Sequence, residues 1–395
     1  MRHTAIAPFA AALITLLAGG CFGGAPDESE APEAEETPHG YVEGAEETAE
    51  PQSRLVLADS DSGDVVLLDL ITEEISELGN VPGVDGISGD SRFAYLQSSG
   101  NGMSEVFDSG AWTVDHGDHS HYYRTGAGRV GSLDEAIGSE VVTDTVLTSL
   151  TGADGGSLVL TREGLEDGSV ETADVLPDER TAAYPYKGVL VTVDTADGTV
   201  RTLERDGEPG QTLSQTCASP QGAAVTRRGL VVGCEEGTLH LTEDDGSLDA
   251  ETVPYPGPGR TEAFHHRSGS AVLAALSTEG DPWVLDLAAG EWRSIDLDDT
   301  VAVTAVGEDM PFLALTGDGT LHSLDPETGE QEADTPLLEG LDPEHPPTLQ
   351  VDTSRAYVND PEAGTIHEID YNDDLRVART LDVGIAPHLM VETGQ

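Results

Sequence analysis

From about residue 54 onward the chain alternates short apolar runs with polar punctuation. Residues 54–58, 65–70 and 73–78 are strand-length runs, and turn residues recur at Ser62 to Asp64, Asp197 and Gly198, Glu236 and Gly237, Asp318 and Gly319, and Ala363 and Gly364. Runs of this length bounded by Gly, Asp and Ser read as β-strands, and few stretches carry the period of a long helix. The strands fall into a repeated phrase: strand, turn, strand, Gly-containing turn, strand, then a more polar strand. It is clearest where Gly319, Thr320, Leu321 and His322 are echoed by Gly364, Thr365, Ile366 and His367 and by Gly237, Thr238, Leu239 and His240. Four-stranded repeats of this kind are the blades of a β-propeller.

The phase of the repeat places first strands near Val84, Ile137, Arg180, Ala218, Thr261, Val301, Pro346 and Ala386. This predicts an all-β fold, a single propeller over residues 53–395 with eight blades, seven being the alternative. The last first strand has no partners after it, while residues 54–78 supply three strands with no first strand before them. Pairing the two ends completes one blade and hides strand edges that would otherwise aggregate.

Ahead of the repeat the pattern changes twice. Residues 1–20 hold Arg2, a mostly apolar run over 5–17 and then small residues, too short for a bilayer span and shaped like a cleaved secretory signal. Ala18, Gly19, Gly20 and Cys21 resemble a bacterial lipobox, with Ala where Leu is more usual; Cys21 would then carry the lipid, and several acyl chains give a stable anchor. Residues 21–52 are rich in Glu, from Glu28 to Glu50, and contain no Lys or Arg. Such a segment cannot bury enough apolar surface to offset ordering and is expected to be a disordered, self-repelling tether. The protein is therefore expected to be exported and lipid-anchored on the outer face of the cell membrane, in the periplasm of a Gram-negative cell, with an ordinary secreted form as the alternative.

Charge narrows the partners. The formal net charge is −57 and Lys187 is the only lysine, which excludes nucleic acid, where phosphate neutralisation dominates affinity. The carboxylates are spread over every turn and read as a solvated surface. No feature of the sequence asks for an oligomer, and a monomer is expected. With Cys21 assigned to lipid, Cys217 and Cys234 remain, and an oxidising compartment allows them to pair. The repeat puts one just before a first strand and the other at the end of the following second strand, side by side.

The chemistry concentrates in one place. Asp115, His116, Gly117, Asp118, His119, Ser120 and His121 put three imidazoles and two carboxylates within seven residues of a chain with 12 His in all. Neutral imidazole and carboxylate suit Zn²⁺ and its first-row neighbours. In an extended segment His119 and His121 share a face, and Gly117 lets the chain turn to bring His116 round. The spacing does not match the zincin helix, and no Cys pair is free for a structural finger. His265 and His388, with His266 and His345, lie near first-strand beginnings and are candidate additional ligands. His240, His322 and His367 are repeat positions and read as structural. The phase of the repeat makes Ala111 to Val114 the end of a third strand, which the stretch 116–121 joins to a fourth strand beginning near Tyr122. In a regular blade that loop lies at the rim opposite the first-strand beginnings, so either two polar sites exist or this irregular blade inserts its loop.

The run from Trp112 through Tyr122, Tyr123 and Arg124, the segment Ala356, Tyr357, Val358, Asn359 and Asp360, the terminal Glu392, Thr393 and Gly394, and the spaced cysteine pair resemble the AztD zinc metallochaperone family. The resemblance spans essentially the whole chain from Arg54. It implies a secreted β-propeller that binds Zn²⁺ and hands it to the solute-binding protein of an ABC zinc importer. It assigns metal binding to His116, His119 and His121, with Asp115 and Asp118 as ligands or as groups orienting them. The sequence departs from that family at its N-terminal region, which has only His39 where a metal-binding motif is expected. Two other readings stay open: a metal-dependent propeller enzyme of lactonase or lyase type, and a metal-free scaffold for a surface protein.

Overall fold

The computed structural model describes residues 42–395 apart from residues 43, 117, 118, 138, 139, 153, 154, 177–179 and 344, and Val42–Gln395 forms one compact unit. The signal peptide, the lipidation at Cys21, His39 and Asp118 lie outside the described residues.

The fold is an all-β propeller. The described residues form nine antiparallel sheets of three or four strands, with one short α-helix, Arg162–Glu166. One sheet shows the rule: Thr181–Tyr186, Val189–Asp194, Thr199–Leu203 and Pro209–Thr216 pair in sequence order. Its first strand is buried throughout and its fourth is mostly exposed, which is why the fourth strand of each repeat is polar. Second strands such as Gly229–Gly233 and Phe312–Thr316 are buried at every position, because each sheet is covered on both faces by its neighbours. The core accordingly lies between blades: Val142, Tyr184, Val191, Leu230 and Val232 come from three consecutive sheets and pack as one cluster.

The two ends of the chain share a blade, as the pattern predicts. Leu389–Thr393 pairs with Arg54–Ala58, which continues to Asp64–Asp69 and Ile75–Asn80. First strands begin at Gly86, Glu140, Thr181, Ala223, Thr300, Leu349 and Leu389, each within five residues of its expected start. The one expected at Thr261 is reduced to isolated bridges, Thr261 with Ser277 and His265 with Ala274. Three prolines within 254–258 and the polar run His265, His266, Arg267 leave that segment without the apolar alternation a regular strand needs. Cys217 and Cys234 form a disulfide with a Cα separation of 5.1 Å, joining the approach to one first strand to the end of the next second strand.

Two expectations need correction. Ala111–Asp115 and the strand starting near Tyr122 are not the third and fourth strands of their blade; Met103–Asp108 and Gly128–Leu133 are, and Ala111–Asp115 with Ser120–Arg124 form a hairpin inserted between them. Gly110 makes the exit. Its φ is +69°, a Cβ there would meet Thr125 O at 2.5 Å, and its carbonyl accepts from Thr125 N at 2.7 Å, closing the base of the hairpin. Glu46 to Thr48, expected to be disordered, are the second. Glu46–Thr48 is a strand paired to Ser120–Arg124, because the hairpin leaves an edge open and Arg124 draws Glu46 to it, 2.8 Å apart.

Candidate metal centre

The inserted hairpin brings the three histidines of the motif together for two local reasons. His116 N donates to His119 O at 2.9 Å, so these two residues face each other across the turn. His121 follows His119 by two and shares its face. The ring centroids form a nearly equilateral triangle, 5.0 Å for His116 and His119, 5.2 Å for His116 and His121, and 4.9 Å for His119 and His121. One nitrogen from each lies within 4.8 Å of the others, and among the described residues this is the group of three or more such ligands that can hold a metal ion. A tetrahedral zinc with Zn–N of about 2.0–2.1 Å sets its nitrogens roughly 3.4 Å apart.

Stacked side chains carry this geometry back to the blade. His121 stacks on Tyr123, two residues along, at 6.2 Å, and Tyr123 stacks on its cross-strand partner Trp112 at 5.3 Å. The Arg92 guanidinium covers the Trp112 ring at 4.0 Å and is itself held by Asp108 at 2.7 Å. Arg92 and Asp108 belong to the blade that carries the insertion. The N-terminal strand approaches from the other edge, and Glu47 Oε1 lies 2.6 Å from His121 Nδ1. Burial, and then the Glu47 charge, push the Tyr123 phenol above its ordinary value, so it stays neutral.

The other described candidates do not belong to this group of three. Asp115 ends its strand opposite Ser120, exposed, and is not in the cluster of three. His265 and His388 do not join the cluster either. His265 N donates to Ala274 O at 2.8 Å and its carbonyl accepts from Ala305 N, so its backbone ties two neighbouring sheets. Desolvation by the surrounding protein, and then the neighbouring His266, push its pKa down to about 4. His388 Nδ1 accepts from Ser60 N at 3.2 Å and lies 3.4 Å from Asp59, while its ring packs 4.8 Å from that of His345. Both sit at first strands, whereas the cluster sits on an insertion between a third and a fourth strand, so these candidate additional ligands stay apart from it. His240, His322 and His367 hold strand neighbours: Nε2 of His240 meets Arg228 O at 3.0 Å, and His322 lies between Thr316 and Gln331. Glu47 is the contact that sequence reading missed, 74 residues from His121 and inside a segment whose composition signals disorder.

No family model and no curated protein matches the chain. Among solved structures, a crystal structure from Citrobacter koseri superposes with a TM-score of 0.71 at 20% identity, covering 88% of this chain and 99% of that one. The chain shares the fold of Citrobacter koseri AztD. The apo form of AztD from the same organism gives 0.70 at 20% identity over 87% of this chain and 98% of that one. The dihydro-heme d1 dehydrogenase NirN, in complex with DHE, is more distant, with a TM-score of 0.56 at 15% identity, covering 87% of this chain and 76% of that chain. AztD is thus matched along nearly its whole length, while NirN extends beyond the shared part.

Proposed function

We propose that this chain is a zinc metallochaperone of the AztD type, which carries Zn²⁺ on His116, His119 and His121 and delivers it to the solute-binding protein of an ABC zinc importer. The observation that carries the reading is the single-faced triangle of imidazoles at the turn of the inserted hairpin, with ligand nitrogens within 4.8 Å. The AztD fold and the motif resemblance support it. Three neutral imidazoles leave a position open in a tetrahedral shell. That position suits transfer, because an acceptor's His, Asp or Glu can enter the shell before the donor ligands leave one at a time. The placement at the tip of a hairpin, on exposed His116 and His119, suits contact with another protein. Handing over a cation without chemical change makes the protein a carrier rather than an enzyme. Export, attachment of lipid at Cys21 and a tethered position beside the importer belong to the same proposal.

Titration of the purified chain with Zn²⁺, against the variant with His116, His119 and His121 all changed to Ala, tests it. The wild type should bind one tightly held equivalent that the variant lacks. Equal stoichiometry and affinity in the two proteins would exclude the donor role. Transfer is then read by mixing zinc-loaded protein with an importer-type solute-binding protein and assaying the metal in each after separation.

A further inference from the structure

We propose that Glu47 is a positioning residue of the metal centre, and that Glu46–Thr48 is a strap whose seating on the hairpin sets how tightly the cation is held. The proposal rests on the metal-binding reading above. Glu47 lies 2.6 Å from Nδ1 of His121, yet it is not among the mutually close ligand atoms. With the carboxylate at Nδ1, the geometry assigns metal coordination to Nε2. An imidazole that donates Nδ1–H to a carboxylate has its lone pair fixed on Nε2 and its basicity raised. His121 is also the most enclosed of the three, its side chain 11% exposed, so the ring that Glu47 orients is the one least free to reorient in water.

The strap that delivers Glu47 is lightly attached. It pairs over three residues, Glu46 with Arg124, Glu47 with Tyr123 and Thr48 with Tyr122. Besides Glu47 itself, its side-chain anchors include Thr48 Oγ1 to Tyr122 O at 3.3 Å and the ion pair of Glu46 with Arg124, both of whose partners are more than two-fifths exposed. Thr125 Oγ1 donates to Gly44 O at 3.2 Å just before the strand begins. Exposed pairs of this kind hold weakly. Lifting the strap withdraws the carboxylate from His121 while leaving all three imidazoles on the hairpin, so the N-terminal segment regulates the site without supplying a ligand.

The test uses the full chain and four proteins: wild type, Glu47→Ala, Glu47→Gln and Glu46→Arg. Zinc affinity is measured by competition with a chromophoric chelator, and the His121 tautomer by long-range ¹H–¹⁵N correlation in zinc-free protein. Glu47→Ala should lose affinity on the order of 10- to 100-fold, and its His121 should leave the Nδ1–H form. Glu47→Gln, whose amide oxygen still accepts, should keep the Nδ1–H form and recover part of the affinity. Glu46→Arg, which opposes Arg124 and touches no histidine of the cluster, should weaken zinc in the same direction by a smaller factor. Wild-type His121 protonated on Nε2, or wild-type affinity in Glu47→Ala, overturns the positioning role, and wild-type affinity in Glu46→Arg overturns the strap. Failure of the metal-binding reading looks different: the wild type would bind no zinc at all, while the tautomer measurement would still report on the Glu47 contact.

Discussion

Trp112 and Tyr123 sit directly opposite each other in the hairpin and stack at 5.3 Å with their planes 20° apart. Arg92 covers the Trp112 ring and His121 stacks on Tyr123, so one column of side chains runs from the blade to the histidine triangle. A stacked aromatic pair is worth about 0.5–1.5 kcal/mol beyond its area, and a cation–π contact to a buried guanidinium such as Arg92 about 1–2. Trp112→Ala removes both from an insertion that the ring of sheets does not need. Zinc affinity should fall about 3- to 10-fold while the thermal midpoint of the propeller moves by no more than a few degrees. Chelator competition and a calorimetric scan on the same preparation check the two halves of the prediction.

The disulfide should matter to stability and not to metal. Cys217 and Cys234 close a loop of sequence separation 17, for which chain entropy gives roughly 3 kcal/mol. Cys217→Ala with Cys234→Ala should lower the denaturation midpoint accordingly and leave zinc stoichiometry unchanged. A loss of zinc in that variant would mean the blade it staples is coupled to the hairpin. Urea titration with and without zinc makes the measurement.

Most of the ring was legible because its signal is local and repeated. Apolar runs at Gly229–Gly233 and Phe312–Thr316 are strand-length and buried on both faces, and the Gly-Thr-Leu-His phrase marks the third strands whatever surrounds them. Closure was legible from bookkeeping of strands at the two ends. The blade that carries the histidine triangle was legible only as one of two alternatives, since Ala111–Asp115 has the same apolar alternation as a third strand, and only the tight turn at Gly110 sends it out of the sheet. The triangle of His116, His119 and His121 was readable from period and turn. The Glu47 contact was not, because an acidic stretch gives no local reason to form a strand and its partner edge is 74 residues away. His265 and His388 were drawn in by their chemistry, although the phase of the repeat already set first-strand beginnings at the rim opposite the 116–121 loop.

Asn359 fastens the closing blade. It is fully buried on strand Ala356–Asp360; its Oδ1 accepts from Thr348 N at 2.6 Å and its Nδ2 donates to Pro387 O at 2.7 Å, just ahead of the final strand. Asn359→Ala strands two main-chain groups that water reaches poorly. Leaving such groups unpaired costs about 1–3 kcal/mol each. The expected loss is about 2–4 kcal/mol by chemical denaturation, with zinc affinity of the folded protein unchanged.

Glu392 gives the propeller a pH dependence of defined sign. It lies on the final strand, 8% exposed, and burial followed by the charge of Asp352 pushes its pKa from an ordinary 4.5 up to about 8. Between those values the folded protein keeps a proton that the unfolded chain has released, so stability declines as the pH rises through that window. Glu140, pushed up to about 7 by burial, adds a slope of the same sign. Glu392→Gln replaces the proton permanently. It should match wild type below pH 4.5, exceed it at pH 8.5 by on the order of a few kcal/mol, and keep the shallower slope due to Glu140. Thermal midpoints of both proteins from pH 4 to pH 9 decide it, and parallel curves would place the carboxylate of Glu392 in water rather than in the sheet.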